Sequence, residues 1–386
     1  MSARTRRGKA LVAATVLVAV HAPPASGQAG RVVELVPPAP SLEGNLLGDD
    51  PHRTALVYLP PSYSDPEAGP FPVVYLLHAF GVGPESWHGG AAGYENMDIA
   101  ATLDSLVASR GIVEMIVVMP DARTRYGGSW YASSPAIGDW ERYIALDLVD
   151  AVDASLRTLT RREARALVGQ SMGAYGALRI ASAHPEVFGI AVAVSAPNLV
   201  NPNPLGMAAL EAALNVASPD AVLGGSPLPA VMWSKAAAFS SDADAAPFFA
   251  TLPVVPDGDS VSIEPAAWQA WERNTIRGLL NDPARRRALG SLDLRLDVGS
   301  RDPLRSETHS IADMLVALGV EVAAVEFDGG HVEGVRGHFA RSLLPWLSSR
   351  VARSESGRRV PAAGQDRGAR ASSSEAIPTG GSRSSR

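Results

Sequence analysis

The alternation of short apolar runs with longer helical patterns most constrains how this chain folds. Between residues 53 and 348, runs of strand length rich in Val, Ile and Leu are followed in turn by stretches whose apolar residues recur at spacings of three and four. Continuous apolar runs are typical of strands covered on both faces, and alternation with helices favours parallel order. We therefore predict an α/β fold with a mostly parallel central sheet flanked by helices on both faces. The predicted strands cover residues 53–60, 72–80, 113–121, 164–170, 189–196, 292–300 and 321–329, and the predicted helices cover about 95–109, 139–158, 172–183, 303–318 and 334–348.

Both ends and one internal stretch depart from this alternation. Residues 1–27 place basic residues before the apolar run ALVAATVLVAV and small residues after it, as in a secretory signal peptide cleaved near Gly27. Residues 350–386 lack aromatic residues, are rich in Arg, Ser and Gly, and are predicted to be disordered. Residues 198–291 show no obvious strand and are too long for a plain connection, so we predict a partly helical insertion in one domain covering residues 28–349.

The leader and the charge indicate where the protein acts and which partners it lacks. A cleaved signal peptide predicts a secreted or periplasmic protein without a stable membrane span, and an uncleaved leader that anchors it to a membrane is the alternative. The formal net charge is −6, and the body is more acidic because basic residues concentrate at both ends, so no nucleic-acid partner is expected. The oligomeric state is not determined by the sequence.

A G-x-S-x-G pattern centred on Ser171 is the main candidate for chemistry. Ser171 directly follows a predicted strand and directly precedes a predicted helix, which is the context of a nucleophile on a tight turn. Gly169 and Gly173 lie two residues to either side, where a missing side chain lets the turn close against strand and helix. The pattern is short and also fits a glycine-rich loop, so it needs partners elsewhere in the chain.

The partners of a nucleophilic serine are a base and an acid that orients the base. Asp302 lies just past the strand predicted to end at residue 300, and His331 lies just past the strand predicted to end at residue 329. In this strand order, an acid and then a histidine are expected at these positions. We predict Ser171 as nucleophile, Asp302 as acid and His331 as base, with Asp297 and Asp328 as alternative acids.

Backbone N–H groups that stabilise an oxyanion are predicted at two positions. One is that of Met172, at the start of the helix after Ser171, and the other is that of Phe80, in the loop LLHAFGVGPESW. His78 in that loop is interpreted as a brace that holds the loop by hydrogen bonds. No histidine has metal-ligand spacing to a second histidine and a carboxylate, and the chain has no cysteine, so we expect neither a metal nor a cofactor.

Eight segments, in this order, resemble the putative esterase family of α/β-hydrolases: SLEGNLLG, YLPPSY, PVVYLLHAFG, GSWYASSPAIGDWERYIALDLVDAVDASLRTL, LVGQSMGAYGAL, HPEVFG, GSRD and GGH. That family includes esterase D-type S-formylglutathione hydrolases, feruloyl and enterochelin esterases, and mycolyltransferases. The resemblance covers roughly residues 31–348. It implies the α/β-hydrolase fold and assigns the same nucleophile, acid, base and oxyanion donors: Ser171, Asp302, His331, Phe80 and Met172.

Two positions depart from the family pattern. Ala79 stands where the family usually has glycine, which would strain the loop if this position needs a positive φ. Val332 and Glu333 stand where an aromatic residue often follows the base.

Aromatic residues are the candidates for the substrate pocket. Trp130, Tyr131 and Trp140 are interpreted as walls for an acyl or aromatic group, with ordinary core packing as the alternative. Trp268 and Trp271, in the insertion, are candidates for closing over the site.

These observations predict a serine carboxylic-ester hydrolase that forms an acyl-enzyme and acts on a small-molecule or glycan-linked ester. An acyltransferase of the mycolyltransferase type is one alternative, and an exported binding protein that has lost activity is the other. Cytosolic S-formylglutathione hydrolysis fits less well, because the leader directs the chain outward.

Overall fold

The structure, a computed structural model, describes residues 29–89, 94–199, 204–258 and 260–356. The strands in these ranges are β1 (Arg31–Leu35), β2 (Ala55–Leu59), β3 (Val73–Leu77), β4 (Ile116–Pro120), β5 (Ser133–Ser134), β6 (Gly138–Asp139), β7 (Arg165–Gln170), β8 (Ile190–Val194), β9 (Val254–Asp257), β10 (Ser260–Ile263), β11 (Asp293–Gly299) and β12 (Ala323–Phe327). The helices are α1 (Ile99–Ala108), α2 (Trp140–Arg142), α3 (Leu148–Ser155), α4 (Met172–Ala183), α5 (Pro204–Leu214), α6 (Pro227–Phe239), α7 (Pro265–Asn274), α8 (Ile276–Leu279), α9 (Pro283–Leu289), α10 (Arg305–Ala317), α11 (Val335–His338) and α12 (Leu344–Ser356).

One eight-stranded sheet forms the centre of the fold, with the order β1-β2-β4-β3-β7-β8-β11-β12. β1 pairs antiparallel with β2, and β2 antiparallel with β4. All later neighbours pair in parallel. The prediction of a mostly parallel sheet is therefore confirmed. Each predicted strand contains a strand of this sheet. β1 is an additional edge strand that was not predicted from the sequence.

The central strands are apolar throughout because both faces of the sheet are covered. In β3, Val73, Tyr75 and Leu77 pack into one apolar cluster, whereas Val74 and Leu76 pack into a second cluster on the opposite face. This arrangement brings the carboxyl ends of β3, β4, β7, β8 and β11 to one edge of the sheet, where chemistry collects in folds of this type.

The segment 198–291, predicted to be a partly helical insertion, contains α5 to α9 within its described residues. The expectation that it has no strand is wrong, because β9 and β10 form an antiparallel pair. Their side chains are mostly exposed or half-buried, so no alternation of buried apolar residues signals them in the sequence. The insertion is fixed to α4, since the Tyr175 hydroxyl donates to the carbonyl of Asn274 at 2.7 Å.

The two ends of the chain bear on the predicted boundaries. The proposed signal peptide and residues 357–386 lie outside the described residues. Helix α12 continues to Ser356, so the start of the segment predicted to be disordered from residue 350 is helical. It is held there because Val351 is fully buried in the apolar cluster beneath α12. None of the helices in the described ranges is long and apolar enough to cross a membrane.

Candidate active site

Ser171 lies on the sharp turn between β7 and α4, with φ 56° and ψ −117°. The flanking glycines make this turn possible. A Cβ at Gly169 would lie 2.1 Å from the carbonyl oxygen of Gly173, and a Cβ at Gly173 would lie 2.3 Å from that of Leu77. Because these obstacles are backbone atoms, only glycine fits at either position. The strained conformation leaves the Ser171 side chain half-buried at the carboxyl edge of the sheet.

The structure brings Ser171, His331 and Asp302 together, although they are far apart in the chain. His331 Nε2 lies 3.1 Å from Ser171 Oγ, and His331 Nδ1 lies 3.1 Å from both carboxylate oxygens of Asp302. With Nδ1–H donating to the carboxylate, Nε2 is free to accept the serine proton. The Asp302 side chain is fully buried, whereas 33% of the His331 side chain is exposed, so the relay is open on the serine side.

The electrostatics of Asp302 suit the role of an ionised orienting acid. Burial raises the pKa of this carboxyl, but hydrogen bonds from His331, Ser195 and the Leu304 N–H outweigh burial and hold the pKa below its usual range. The carboxylate therefore stays charged across the neutral range, which is the state that an acid orienting an imidazole requires.

The alternative acids both have other partners. Asp297 is fully buried, and it accepts hydrogen bonds from Arg295 Nε at 2.7 Å and from His338 Nε2 at 2.6 Å. Asp328 is exposed and forms an ion pair with Arg301. Among the three predicted candidates, only Asp302 contacts the imidazole of His331.

Two further residues, Ser195 and Gln170, hold the site together and were not predicted from the sequence. Ser195, at the carboxyl end of β8, has φ 56° and donates from Oγ to Asp302 Oδ2 at 2.5 Å. Gln170, directly before Ser171, donates from Nε2 to the carbonyl oxygen of His331 at 2.8 Å. A signal was available in both cases, because each is a polar residue at the carboxyl end of a continuous apolar run.

The two predicted oxyanion donors lie near one another. A Cβ at Gly128 would lie 2.5 Å from Met172 Sδ and 3.0 Å from Phe80 Cδ2, so the two residues meet around this glycine. The positive φ of the donor loop falls on Gly81, at 76°, and not on Ala79. The departure from the family pattern at residue 79 therefore introduces no backbone strain.

His78 has the contacts of a brace for this loop. Its ring is fully buried, and Nε2 accepts the Ala122 N–H at 2.8 Å, which requires Nδ1 to carry the proton. Nδ1–H then donates to the carbonyl oxygen of Ala79 at 2.8 Å. Burial also lowers the pKa of His78, so the ring is neutral and ties the loop after β3 to the loop after β4.

The predicted pocket aromatics have different surroundings. Tyr131 is fully buried and donates to the carbonyl of His78, and Trp140 is fully buried and donates to the carbonyl of Ile137, so both pack in the core. Trp130 faces the insertion, where its indole N–H donates to Ser234 Oγ at 2.9 Å.

The two insertion tryptophans lie on α7. Trp271 packs against Phe239, and its indole N–H donates to Ser240 Oγ at 2.9 Å. Trp268 bonds instead to Glu272 on its own helix. Across the described residues, no group of three or more His, Cys, Asp or Glu side chains could hold a metal ion.

A mostly parallel eight-stranded sheet with a strained serine between strand and helix defines an α/β-hydrolase. The sequence model described as Putative esterase matches residues 50–350, and the chain therefore belongs to this family of carboxylic-ester hydrolases. The predictions of fold, family and enzyme class are thereby confirmed.

Curated relatives with significant similarity include Esterase Rv1288 of Mycobacterium tuberculosis, which is 32% identical over 133 residues. Another is an Endo-1,4-beta-xylanase/feruloyl esterase of Xylanibacter ruminicola, which is 30% identical over 141 residues. The two matches cover 33% and 36% of this chain, but only 25% and 18% of those proteins. The chain thus matches a quarter or less of the length of each relative.

Solved structures of similar fold cover most of the chain. A ferulic acid esterase has a TM-score of 0.57 and 19% identity, and the match covers 84% of this chain and 99% of that one. An S-formylglutathione hydrolase from Agrobacterium tumefaciens has a TM-score of 0.50 and 18% identity, with 84% and 97% covered. At these identities, the similarity shows the fold alone.

Proposed function

We propose that this protein is a serine carboxylic-ester hydrolase that works through the triad Ser171, His331 and Asp302. The observation that carries this proposal is the unbroken hydrogen-bonded relay from Ser171 Oγ through His331 to the buried carboxylate of Asp302. A serine hydroxyl acts as a nucleophile near neutral pH only when such a base and acid are aligned with it.

In the proposed reaction, Ser171 Oγ attacks the ester carbonyl carbon while His331 Nε2 accepts the hydroxyl proton. The tetrahedral intermediate collapses, the carbon–oxygen bond to the alcohol breaks, and His331 returns the proton to the leaving oxygen. Water then attacks the acyl-enzyme while His331 Nε2 accepts its proton. When the second tetrahedral intermediate collapses, the bond to Ser171 Oγ breaks, the acid is released, and His331 returns the proton to Ser171 Oγ. Asp302 stays ionised throughout and orients the imidazole.

The N–H groups of Phe80 and Met172 are proposed to stabilise the oxyanion in both tetrahedral intermediates. Support comes from their packing around Gly128, and from the position of Met172 at the start of α4, where a backbone N–H has no partner within the helix. Each such donor typically contributes a factor of roughly 10² to 10³ in rate.

We propose a small-molecule or glycan-linked ester as the substrate and a secreted or periplasmic location. The leader sequence supports the location, and the name of the xylanase/feruloyl esterase relative supports a glycan-linked ester. Water is proposed as the acyl acceptor. Product analysis in the presence of a competing sugar or alcohol tests this step, and acyl transfer to that acceptor in preference to water would contradict it.

Replacing Ser171 by alanine tests the mechanism. We expect kcat for p-nitrophenyl butyrate to fall by roughly 10⁴ to 10⁶, because only binding and oxyanion stabilisation remain. A fluorophosphonate probe should label the wild type at Ser171 and leave the variant unlabelled.

The matched control is Ser349→Ala, which removes an exposed serine hydroxyl on α12. It should retain wild-type kinetics and labelling. Native-rate hydrolysis by the folded Ser171→Ala variant would refute the assignment of the nucleophile.

A further inference from the structure

Lys235 is unusual in this sequence. The chain contains 34 Lys and Arg residues, yet Lys9 and Lys235 are its only lysines, so Lys235 is the only one among the described residues. It lies on α6, in the insertion, and its side chain is half-buried. A basic residue whose only role is to keep the protein soluble would lie on an exposed face. Nearly every other basic residue of this chain is arginine.

Two tryptophan rings flank the ammonium group of Lys235. Nζ lies 5.3 Å from the ring centroid of Trp130 and 5.6 Å from that of Trp271. Both rings are fixed in place, because their indole N–H groups donate to Ser234 and Ser240, which lie on or directly after α6. Cation–π attraction therefore holds a positive charge between two rigid, flat, apolar surfaces.

No described residue offers Lys235 Nζ a hydrogen-bond acceptor or a carboxylate within ion-pair distance. Burial lowers the pKa of Lys235 to about 8, and the more distant Glu307 acts in the opposite direction. Glu307 is itself engaged, because it accepts the N–H of Asn198 at 2.7 Å. The side-chain oxygen of Asn198 is buried without a hydrogen-bond partner among the described residues. A half-buried ammonium that no carboxylate of the described residues neutralises is suited to bind an anionic group from outside the chain.

The contacts of Lys235 favour a position near the edge of the sheet that carries Ser171. Trp130 lies in the connection after β4, and Glu307 follows β11, whereas β3, β7 and β8 lie between these two strands in the sheet. Lys235 contacts the ring of Trp130, and the charge of Glu307 acts on it at longer range. Ser171 follows one of the intervening strands, β7. The ring of Trp130 also packs 6.1 Å from that of Tyr175, one helical turn after Ser171.

We propose that Lys235 binds an anionic group of the ester substrate, so that the enzyme prefers esters bearing a carboxylate or a similar anion over neutral esters of the same length. The ammonium supplies the charge, and the rings of Trp130 and Trp271 line the adjoining segment of the substrate. This assignment rests on the proposed ester hydrolysis at Ser171 and adds the class of substrate.

Matched pairs of esters test the proposal. On the acyl side, the mono-p-nitrophenyl ester of glutaric acid is compared with p-nitrophenyl pentanoate, which has a methyl group where the former has a carboxylate. On the leaving-group side, 4-butanoyloxybenzoate is compared with phenyl butanoate. For each pair, the readout is the ratio of kcat/KM for the anionic ester to kcat/KM for the neutral ester.

We expect the ratio to exceed 1 in at least one series, and to fall about tenfold in Lys235→Met, chiefly through KM of the anionic ester. Lys235→Arg, which keeps the charge, should retain most of the preference. Arg31→Met removes a positive charge from an exposed position on the edge strand β1 and should leave the ratio unchanged. Equal ratios in wild type and Lys235→Met, or no preference in either series, would overturn the proposal.

A second measurement does not depend on turnover. In Ser171→Ala protein, acetylation of Lys235 by an N-hydroxysuccinimide ester is followed by mass spectrometry. We expect glutarate to slow the acetylation in a saturable way and pentanamide to have no effect, whereas equal rates with both compounds would refute anion binding. If glutarate protects Lys235 from acetylation but the wild-type protein hydrolyses no ester, anion binding at Lys235 is supported and only the proposed ester hydrolysis is contradicted.

Discussion

Ser195 shows how a residue outside the proposed triad holds the proposed acid, Asp302, in place. Its hydroxyl donates to the buried carboxylate of Asp302, and its φ of 56° is unfavourable for a residue with a side chain, so the backbone accepts strain to hold this bond. The N–H of Ser195 is fixed in turn by the carbonyl oxygen of Asp297, at 2.8 Å. Two adjacent strands therefore set the position of the acid.

Replacing Ser195 by alanine should lower kcat about 10- to 100-fold with little change in KM, since a hydrogen bond to a charged group contributes roughly 1.5–3 kcal/mol. Loss of the donor also raises the pKa of Asp302, so activity should disappear at a higher pH than in the wild type as the solution is acidified. The measurement is the pH profile of kcat between pH 4 and about 8.

Ser195→Gly provides the control, because it removes the same hydroxyl but relieves the positive φ. It should match Ser195→Ala in kinetics and be the more stable of the two. A wild-type pH profile in both variants would contradict the positioning role.

Lys235 should also affect stability in a pH-dependent way. Its pKa is lowered to about 8 in the folded protein from about 10.5, so burial of the charge destabilises the fold fully below pH 8, and this penalty disappears as the pH rises through 10.5. Lys235→Met should therefore raise the free energy of unfolding at pH 7 by roughly 1–3 kcal/mol. Urea unfolding at several pH values tests this, and a difference that is independent of pH would contradict it.

At the scale of elements, the turn between β7 and α4 depends on backbone contacts that leave no room for side chains. Gly169→Ala places a Cβ 2.1 Å from the carbonyl oxygen of Gly173, and neither backbone can move without disrupting β7 or α4. We expect a loss of roughly 3 kcal/mol or more in the free energy of unfolding, together with loss of activity in whatever protein folds.

Gly225→Ala is the matched control, because a Cβ there meets nothing within 4 Å. It should retain both stability and activity. Urea unfolding and hydrolysis of p-nitrophenyl butyrate measure the two effects, and a Gly169→Ala protein of wild-type stability would show that the turn can relax.

The elements themselves could be predicted where their burial is uniform. β3, β7 and β8 are buried on both faces and read as continuous apolar runs, and α4 begins and ends where its pattern predicts. The edge strand β1 and the pair β9 and β10 were missed, because a partly exposed strand has no continuous apolar run. Their formation depends on a neighbouring strand that local sequence does not specify.

At the scale of the whole molecule, the insertion docks on the catalytic core through a polar cluster. Arg179 on α4 donates to Asn274 Oδ1 at 2.7 Å, and it also forms an ion pair with Glu141 at 2.9 Å. Both partners are half-buried. This cluster fixes α7, which carries Trp271, against α4, the helix that follows Ser171.

Asn274→Ala should therefore lower the free energy of unfolding by roughly 1–3 kcal/mol, because it leaves a buried guanidinium with one partner fewer. It should also raise KM for esters more than it lowers kcat, since the insertion is displaced while the triad is intact. Urea unfolding and steady-state kinetics measure both effects. Asn215→Ala, an exposed amide of the insertion, is the control, and equal behaviour of the two variants would contradict the docking role.

The sequence by itself determined the alternation of strands and helices that predicts a mostly parallel sheet, the resemblance to the family, and the candidate nucleophile, acid and base. It could do so because strand-end positions and chain order are local features, and because Asp302 and His331 each follow a continuous apolar run. It left three candidate acids open, and it could not say whether Ala79 strains the donor loop.

Only the tertiary structure shows which carboxylate contacts the imidazole and where the positive φ of the donor loop lies. Asp297 is bonded to Arg295 and His338, whereas Asp302 contacts the imidazole of His331. The positive φ lies at Gly81 and not at Ala79. The structure also shows the bond from Ser195 to Asp302 and the two rings that flank Lys235. Their importance depends on distances and desolvation between residues far apart in the chain, and no local pattern encodes these quantities.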